Sequence, residues 1–175
     1  MKIILPLVLI FILASCVTTQ NRTNYVPTPE MAITFGFGDD KRKWKIEHME
    51  GNSAQILTEM VPDDQSIKSW NEMVAQQIVF TPLKLDAFVN NWLSGLYSAD
   101  PNAAILDKTK SNNSIIVQYK SLAAKEIGIR KFTKAGDGIY MYAYHSRPES
   151  FDQKIYDLWL ININASTLIP NPAKR

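Results

Sequence analysis

Hydrophobic and polar positions alternate with a period of two over residues 43–49, where Trp44 and Ile46 share a face, and again over residues 54–61, where Ile56 and Met60 do. Gly51-Asn52 stands between the two runs as a turn, so this segment predicts a β-hairpin. Past Pro62-Asp63-Asp64, the positions Ile67, Trp70, Met73, Val74, Gln77 and Ile78 recur at spacings of three and four, which predicts an amphipathic helix with its acidic residues at the favourable end of the dipole. Thr81-Pro82 predicts a second helix start, with Thr81 as N-cap and the proline in the first turn. Leu85, Phe88, Val89, Trp92, Leu93 and Leu96 form the apolar stripe of that helix.

The second half returns to strand periodicity. Residues 103–108, 114–122, 126–134 and 139–145 read as four strands joined by short polar links such as Ser111-Asn112-Asn113 and Ala135-Gly136-Asp137-Gly138, which favours an antiparallel meander. Ser150 followed by Gln153 reads as a capping box opening a last helix, with Ile155, Leu158 and Trp159 on its apolar face. The predicted order β-β-α-α-β-β-β-β-α makes the fold class α+β: an antiparallel sheet, hairpin plus four-stranded meander, covered by helices as an α/β sandwich.

Ahead of this pattern the chain has a different character. Residues 3–13 form an apolar run behind Met1-Lys2, the length of a signal-peptide core and short of the roughly 20 residues that span a bilayer. The run ends in Leu13-Ala14-Ser15-Cys16, which resembles the lipobox of bacterial lipoproteins. The resemblance implies a signal peptide over residues 1–15, a diacylglycerol on the Cys16 sulfur, and acylation of the new N-terminus. Cysteine suits this attachment because its thiolate is the most available side-chain nucleophile near neutral pH, and several acyl chains hold far more firmly than one. Val17 and Thr18 follow the cysteine in place of the aspartate associated with inner-membrane retention. The resemblance therefore implies an outer-membrane lipoprotein facing the periplasm of a Gram-negative host. Residues 16–30, with Pro27 and Pro29 and no apolar period, read as the lipidated end and its tether; residues 31–169 read as one domain and residues 170–175 as a tail.

Composition fits a single globular domain: 175 residues, 46% hydrophobic, 21% charged, net charge +2. The near-neutral balance offers no broad basic field for nucleic acid, and one cysteine permits no intrachain disulfide. The element order of residues 31–169, with Trp70 and Trp159, resembles that of PsbP-like and DcrB-like exported domains, which implies an α/β/α sandwich but no particular activity.

Candidate chemistry is sparse. The two histidines, His48 and His145, fall on strands and read as structural or surface residues, so no nucleophile has an evident base. Asp39-Asp40 and Asp63-Asp64 lack metal-ligand spacing, and Gly36-Phe37-Gly38 lacks the third glycine and the helix of a dinucleotide loop; no metal and no cofactor is expected. Glu126 and Asp137 are the acids to inspect for a hydrolase cleft. Two surfaces read as possible interfaces: the basic cluster Lys41, Arg42 and Lys43, and the row Tyr140, Tyr142 and Tyr144 on one strand face, which either stands accessible to a partner or packs beneath a helix. Trp70, Phe88 and Trp92 would line a pocket between helices and sheet. The expected function is a non-catalytic, lipid-anchored protein that binds or braces other envelope proteins. A secretion-system core subunit is one form of it, and a small-molecule or lipid carrier is the alternative.

Overall fold

The structure, a computed structural model, describes residues 25–34 and 36–174. Eleven elements follow in order: β1 (Met31–Thr34), β2 (Trp44–Gly51), β3 (Gln55–Pro62), β4 (Glu72–Val79), α1 (Leu85–Ala99), β5 (Ala104–Lys110), β6 (Ser114–Ser121), β7 (Glu126–Lys134), β8 (Ile139–Ser146), α2 (Gln153–Ala165) and β9 (Thr167–Pro170). Seven of the strands form one antiparallel sheet in the order β2-β3-β4-β8-β7-β6-β5, while β1 and β9 form a separate two-stranded ribbon. The α+β class holds.

The predicted helix over residues 67–78 is replaced by a turn and strand β4. This strand pairs with β3 on one side and β8 on the other, joining the hairpin and the meander into a single sheet. Its first four residues are buried. A strand covered on both faces loses the apolar-polar alternation that marks a half-exposed one, and a short apolar run then fits either period. The hairpin predicted around Gly51-Asn52 is present, with the Asn52 Oδ1 accepting from the N–H groups of Ala54 at 2.8 Å and Gln55 at 3.0 Å.

The helix starts also differ in detail. The helix α1 begins at Leu85 with Lys84 as an uncapped N-cap, and Thr81 Oγ1 accepts only from the Leu83 N–H in the preceding loop. Asp152 caps α2, its carboxylate accepting from the N–H groups of Lys154 and Ile155, because Ser150 is taken up in a short 3-10 turn, Pro148–Ser150. The C-terminal end of α2 is closed by a side chain from the sheet: Lys131 Nζ donates to the carbonyls of Asn164 at 2.9 Å and Ser166 at 2.6 Å. A cation at this end complements the helix dipole.

Each face of the sheet carries its own core. On one, α1 places Leu85, Val89 and Leu96 against Ile115, Val117, Tyr119, Phe132, Ile139 and Met141. On the other, α2 places Tyr156, Trp159 and Ile163 against Met60, Val74, Ile116, Ile129, Tyr142 and Tyr144. The β1-β9 ribbon extends this second layer, with Ile33 packed against it. The residues read as tether and tail dock on the domain: Glu30 N–H donates to Asp137 and Asn171 Nδ2 donates to the Pro29 carbonyl, while Pro170 belongs to β9 and residues 172–174 form a 3-10 turn.

Candidate functional site

Cys16 and the rest of Leu13-Ala14-Ser15-Cys16 lie outside the described residues. Among the described residues no helix is long and apolar enough to cross a membrane, and no group of three or more His, Cys, Asp and Glu residues is placed to hold a metal ion.

The tyrosine row does not form an accessible surface. Tyr140, Tyr142 and Tyr144 retain only 1–2% of their accessible area, because α2 and the ribbon cover their face as α1 covers the other. Tyr144 stacks on Trp159, Tyr142 meets the same indole edge-on, and Tyr140 donates to the Asp137 carboxylate. Burial raises the pKa of all three hydroxyls. Asp137, one of the acids inspected for catalysis, is thereby a structural acceptor that ties Tyr140 and Glu30 together.

The basic cluster is likewise divided. Lys41 and Lys43 are exposed, but Arg42 turns inward. Its guanidinium donates to both Asp40 oxygens at 2.9 and 2.7 Å and to both Glu72 oxygens at 2.7 Å, and it lies 5.3 Å from the centre of the Trp44 ring. Tyr144 Oη completes the arrangement with a 2.9 Å bond to Glu72. Burial pushes the Asp40 pKa up, but the bonds and charge of Arg42 outweigh it and hold the carboxyl below its usual range. Arg42 is thus a clamp between the 36–43 loop and β4.

The three residues proposed for a pocket do not line one together. Phe88 and Trp92 pack from α1 onto Phe132, and Trp92 also meets Tyr119. Trp70 lies apart in the loop before β4, under the Arg147 guanidinium at 3.9 Å. A cavity of about 10 Å³ under the ribbon is lined by residues including Lys131, Tyr140, Tyr142 and Thr167, the size of a single water. A second hollow of about 140 Å³ opens beside Gly38, Asp39, Leu158, Ile161 and Asn162.

The most concentrated buried chemistry lies beneath α1, on residues that the sequence presents as unrelated. Tyr119 Oη donates to Glu126 Oε1 at 2.7 Å and lies 3.2 Å from His145 Nδ1, while Glu126 Oε2 is 3.5 Å from the same nitrogen. Register brings them together: Tyr119 pairs with Gly128, and Gly128 with His145. Glycine is required there, since a Cβ on residue 128 would stand 2.7 Å from the Tyr119 ring. Burial raises the Glu126 pKa, yet His145, Tyr119 and Arg130 overcome it and hold the group at about 2. His145 is 2% exposed and Trp92 lies over Tyr119, while 16% of the Glu126 side chain is exposed. These bonds join side chains of β6, β7 and β8 into one polar network on the α1 face of the sheet.

A pH dependence follows. The Glu126 carboxyl titrates lower folded than unfolded, so its stabilising effect is present above the unfolded value near 4.3 and is lost as pH falls towards 2, by up to roughly 3 kcal/mol. Glu59, whose pKa burial raises, acts in the opposite sense. Denaturant unfolding from pH 7 to 2.5 is expected to show a Glu126→Gln variant less stable than wild type at pH 7, with the gap closing as pH falls; a constant gap would refute the assignment.

No family model, curated protein or solved structure matches this chain.

Proposed function

We propose that this protein is a lipid-anchored lipoprotein of the bacterial outer membrane, facing the periplasm, which binds or braces other envelope proteins and performs no catalysis. The observation that carries the anchor is the sequence Leu13-Ala14-Ser15-Cys16 directly behind the apolar run of residues 3–13. A binding role is supported by where the titratable side chains lie: Glu126 and His145 under α1, and Asp40 and Glu72 under Arg42, are all engaged in internal bonds.

One form of this role is a subunit of a larger envelope assembly, such as a secretion-system core. For the carrier alternative, Phe88 and Trp92 pack against Phe132 and Tyr119 and do not meet Trp70 in a shared pocket.

A Cys16→Ser variant is expected to leave the membrane fraction and to take up no radiolabelled palmitate, while the wild type sediments with membranes and is labelled. An unlabelled wild type, or a serine variant that still sediments, would end this reading. Affinity purification of the wild type from mild detergent should then recover envelope proteins in fixed proportion.

A further inference from the structure

We infer that β2 is a self-association edge, pairing antiparallel with β2 of a second copy of this chain across a two-fold axis. The strand ends the sheet, so among the described residues no strand lies beside one row of its backbone N–H and C=O groups. Such a row is a template for another strand. The opposite edge, β5, also ends the sheet, but it exposes a single large apolar side chain, Leu106 at 55%, and its charged residues Asp107 and Lys110 are bonded to Gln118, Thr109 and Asp86. By contrast β2 exposes two large apolar side chains, Ile46 at 56% and Met49 at 62%.

The choice of a second copy as the occupant comes from the strand's own sequence, Trp-Lys-Ile-Glu-His-Met-Glu-Gly over residues 44–51. With the two-fold axis between residues 47 and 48, Lys45 stands opposite Glu50 of the other copy, Ile46 opposite Met49, and Glu47 opposite His48. Lys45 and Glu50 are complementary in charge, Ile46 and Met49 are both apolar, and Glu47 can accept a hydrogen bond from the His48 ring; each of these pairs occurs twice because the contact is isologous.

This register works only because β2 is irregular. Residues 46 and 49 of a regular strand point to opposite faces. Here Ile46 pairs with Met60 and His48 with Glu59, so Glu47 is an extra residue on the β2 side. After it, Met49 pairs with Thr58 and therefore shares the face of Ile46, since Met60 and Thr58 are two apart. Lys45 pairs with Val61 and Glu50 with Leu57, which puts both on the other face. The bulge thus sorts the apolar pair to one side of the sheet and the charged pair to the other, as a two-fold perpendicular to the sheet demands. Within one chain Lys45 holds Glu47 at 2.9 Å and His48 lies 3.6 Å from Glu50. Pairing would give these half-exposed charges second partners without burying them.

The test uses two differently tagged full-length copies, co-expressed and co-purified in mild detergent. Wild-type copies are expected to recover each other. Lys45→Glu copies paired with themselves face Glu50, and Glu50→Lys copies paired with themselves face Lys45; recovery of either should fall by about tenfold. A Lys45→Glu copy with a Glu50→Lys copy restores opposite charges at both positions and should return to the wild-type level. Circular dichroism melts of the two variants verify that the domain stays folded. Wild-type copies that fail to recover each other, or a mixed pair no better than the two self-pairs, would overturn the inference.

Discussion

Replacing Trp159 with alanine is expected to lower the free energy of unfolding by about 3–5 kcal/mol, the range for deleting a large aromatic side chain from a packed interior. Trp159 has no exposed surface and is the hub of the α2-side core. It stacks on Tyr144 with ring centres 5.2 Å apart and meets Trp44 at 5.3 Å, Phe37 at 5.8 Å and Tyr142 at 6.4 Å, all edge-on. These contacts come from the loop before β2, from β2 itself, from β8 and from α2, so one indole joins segments more than a hundred residues apart. Collapse around the missing ring would have to move all of them together. Guanidinium unfolding followed by far-ultraviolet circular dichroism measures the loss. Trp159→Phe should recover a substantial part of it, because most of the apolar area and one ring contact are retained. A Trp159→Ala domain within 1 kcal/mol of wild type would refute this account of the core.

A loss of similar size, about 3–5 kcal/mol, is expected for Arg42→Met. The cause is different. Methionine keeps much of the volume, but Asp40, with 2% of its side chain exposed, and Glu72, with 10%, lose the cation to which both are bonded. Two adjacent carboxylates then remain buried with no cation between them, Asp40 keeping the backbone N–H of residue 42 and Glu72 keeping Tyr144 Oη on one oxygen. Asp40, held below its usual range by Arg42 in the wild type, loses that cation in the variant and keeps its burial, so the sign of the pH dependence reverses at this site: the variant gains stability relative to wild type as pH falls through the carboxylate range. Adding Asp40→Asn and Glu72→Gln to Arg42→Met should return part of the loss at pH 7, since the cost lies in unpaired charge rather than in missing contacts. If Arg42→Met alone is neutral at pH 7, the clamp carries no weight in stability.

Both residues show how far the linear pattern reaches. Trp159 was legible as part of an apolar helix face, because a period of 3.6 with polar residues between leaves little freedom about which side turns inward. Arg42 was not, because in sequence it stands between two lysines after two aspartates, and charges in a row ordinarily remain in water. Nothing local distinguishes the one that folds back onto Glu72, thirty positions away. The same holds for Tyr119, Glu126 and His145: each occupies a strand of its own, and only the register of β6, β7 and β8 sets them side by side. The one local hint was Gly128 inside a strand, a residue that weakens a strand unless something needs its space. For the tyrosines of β8 the alternation correctly separated two faces, but both faces of a central strand are covered, so the more polar face was no less buried.

What the sequence determined alone is the set of features that depend on near neighbours. These are the α+β class, the hairpin at Gly51-Asn52, four strands of the second half and the two helices. Each is encoded in spacing over a few residues. The tertiary structure decided what no short window contains: that Glu72–Val79 is a strand, because β3 and β8 supply its hydrogen bonds; that Met31–Thr34 and Thr167–Pro170 pair, because the ends of the domain meet; and which charges are buried. Backbone pairing and desolvation depend on partners brought together by the whole chain, and that dependence is why those features surfaced only in three dimensions.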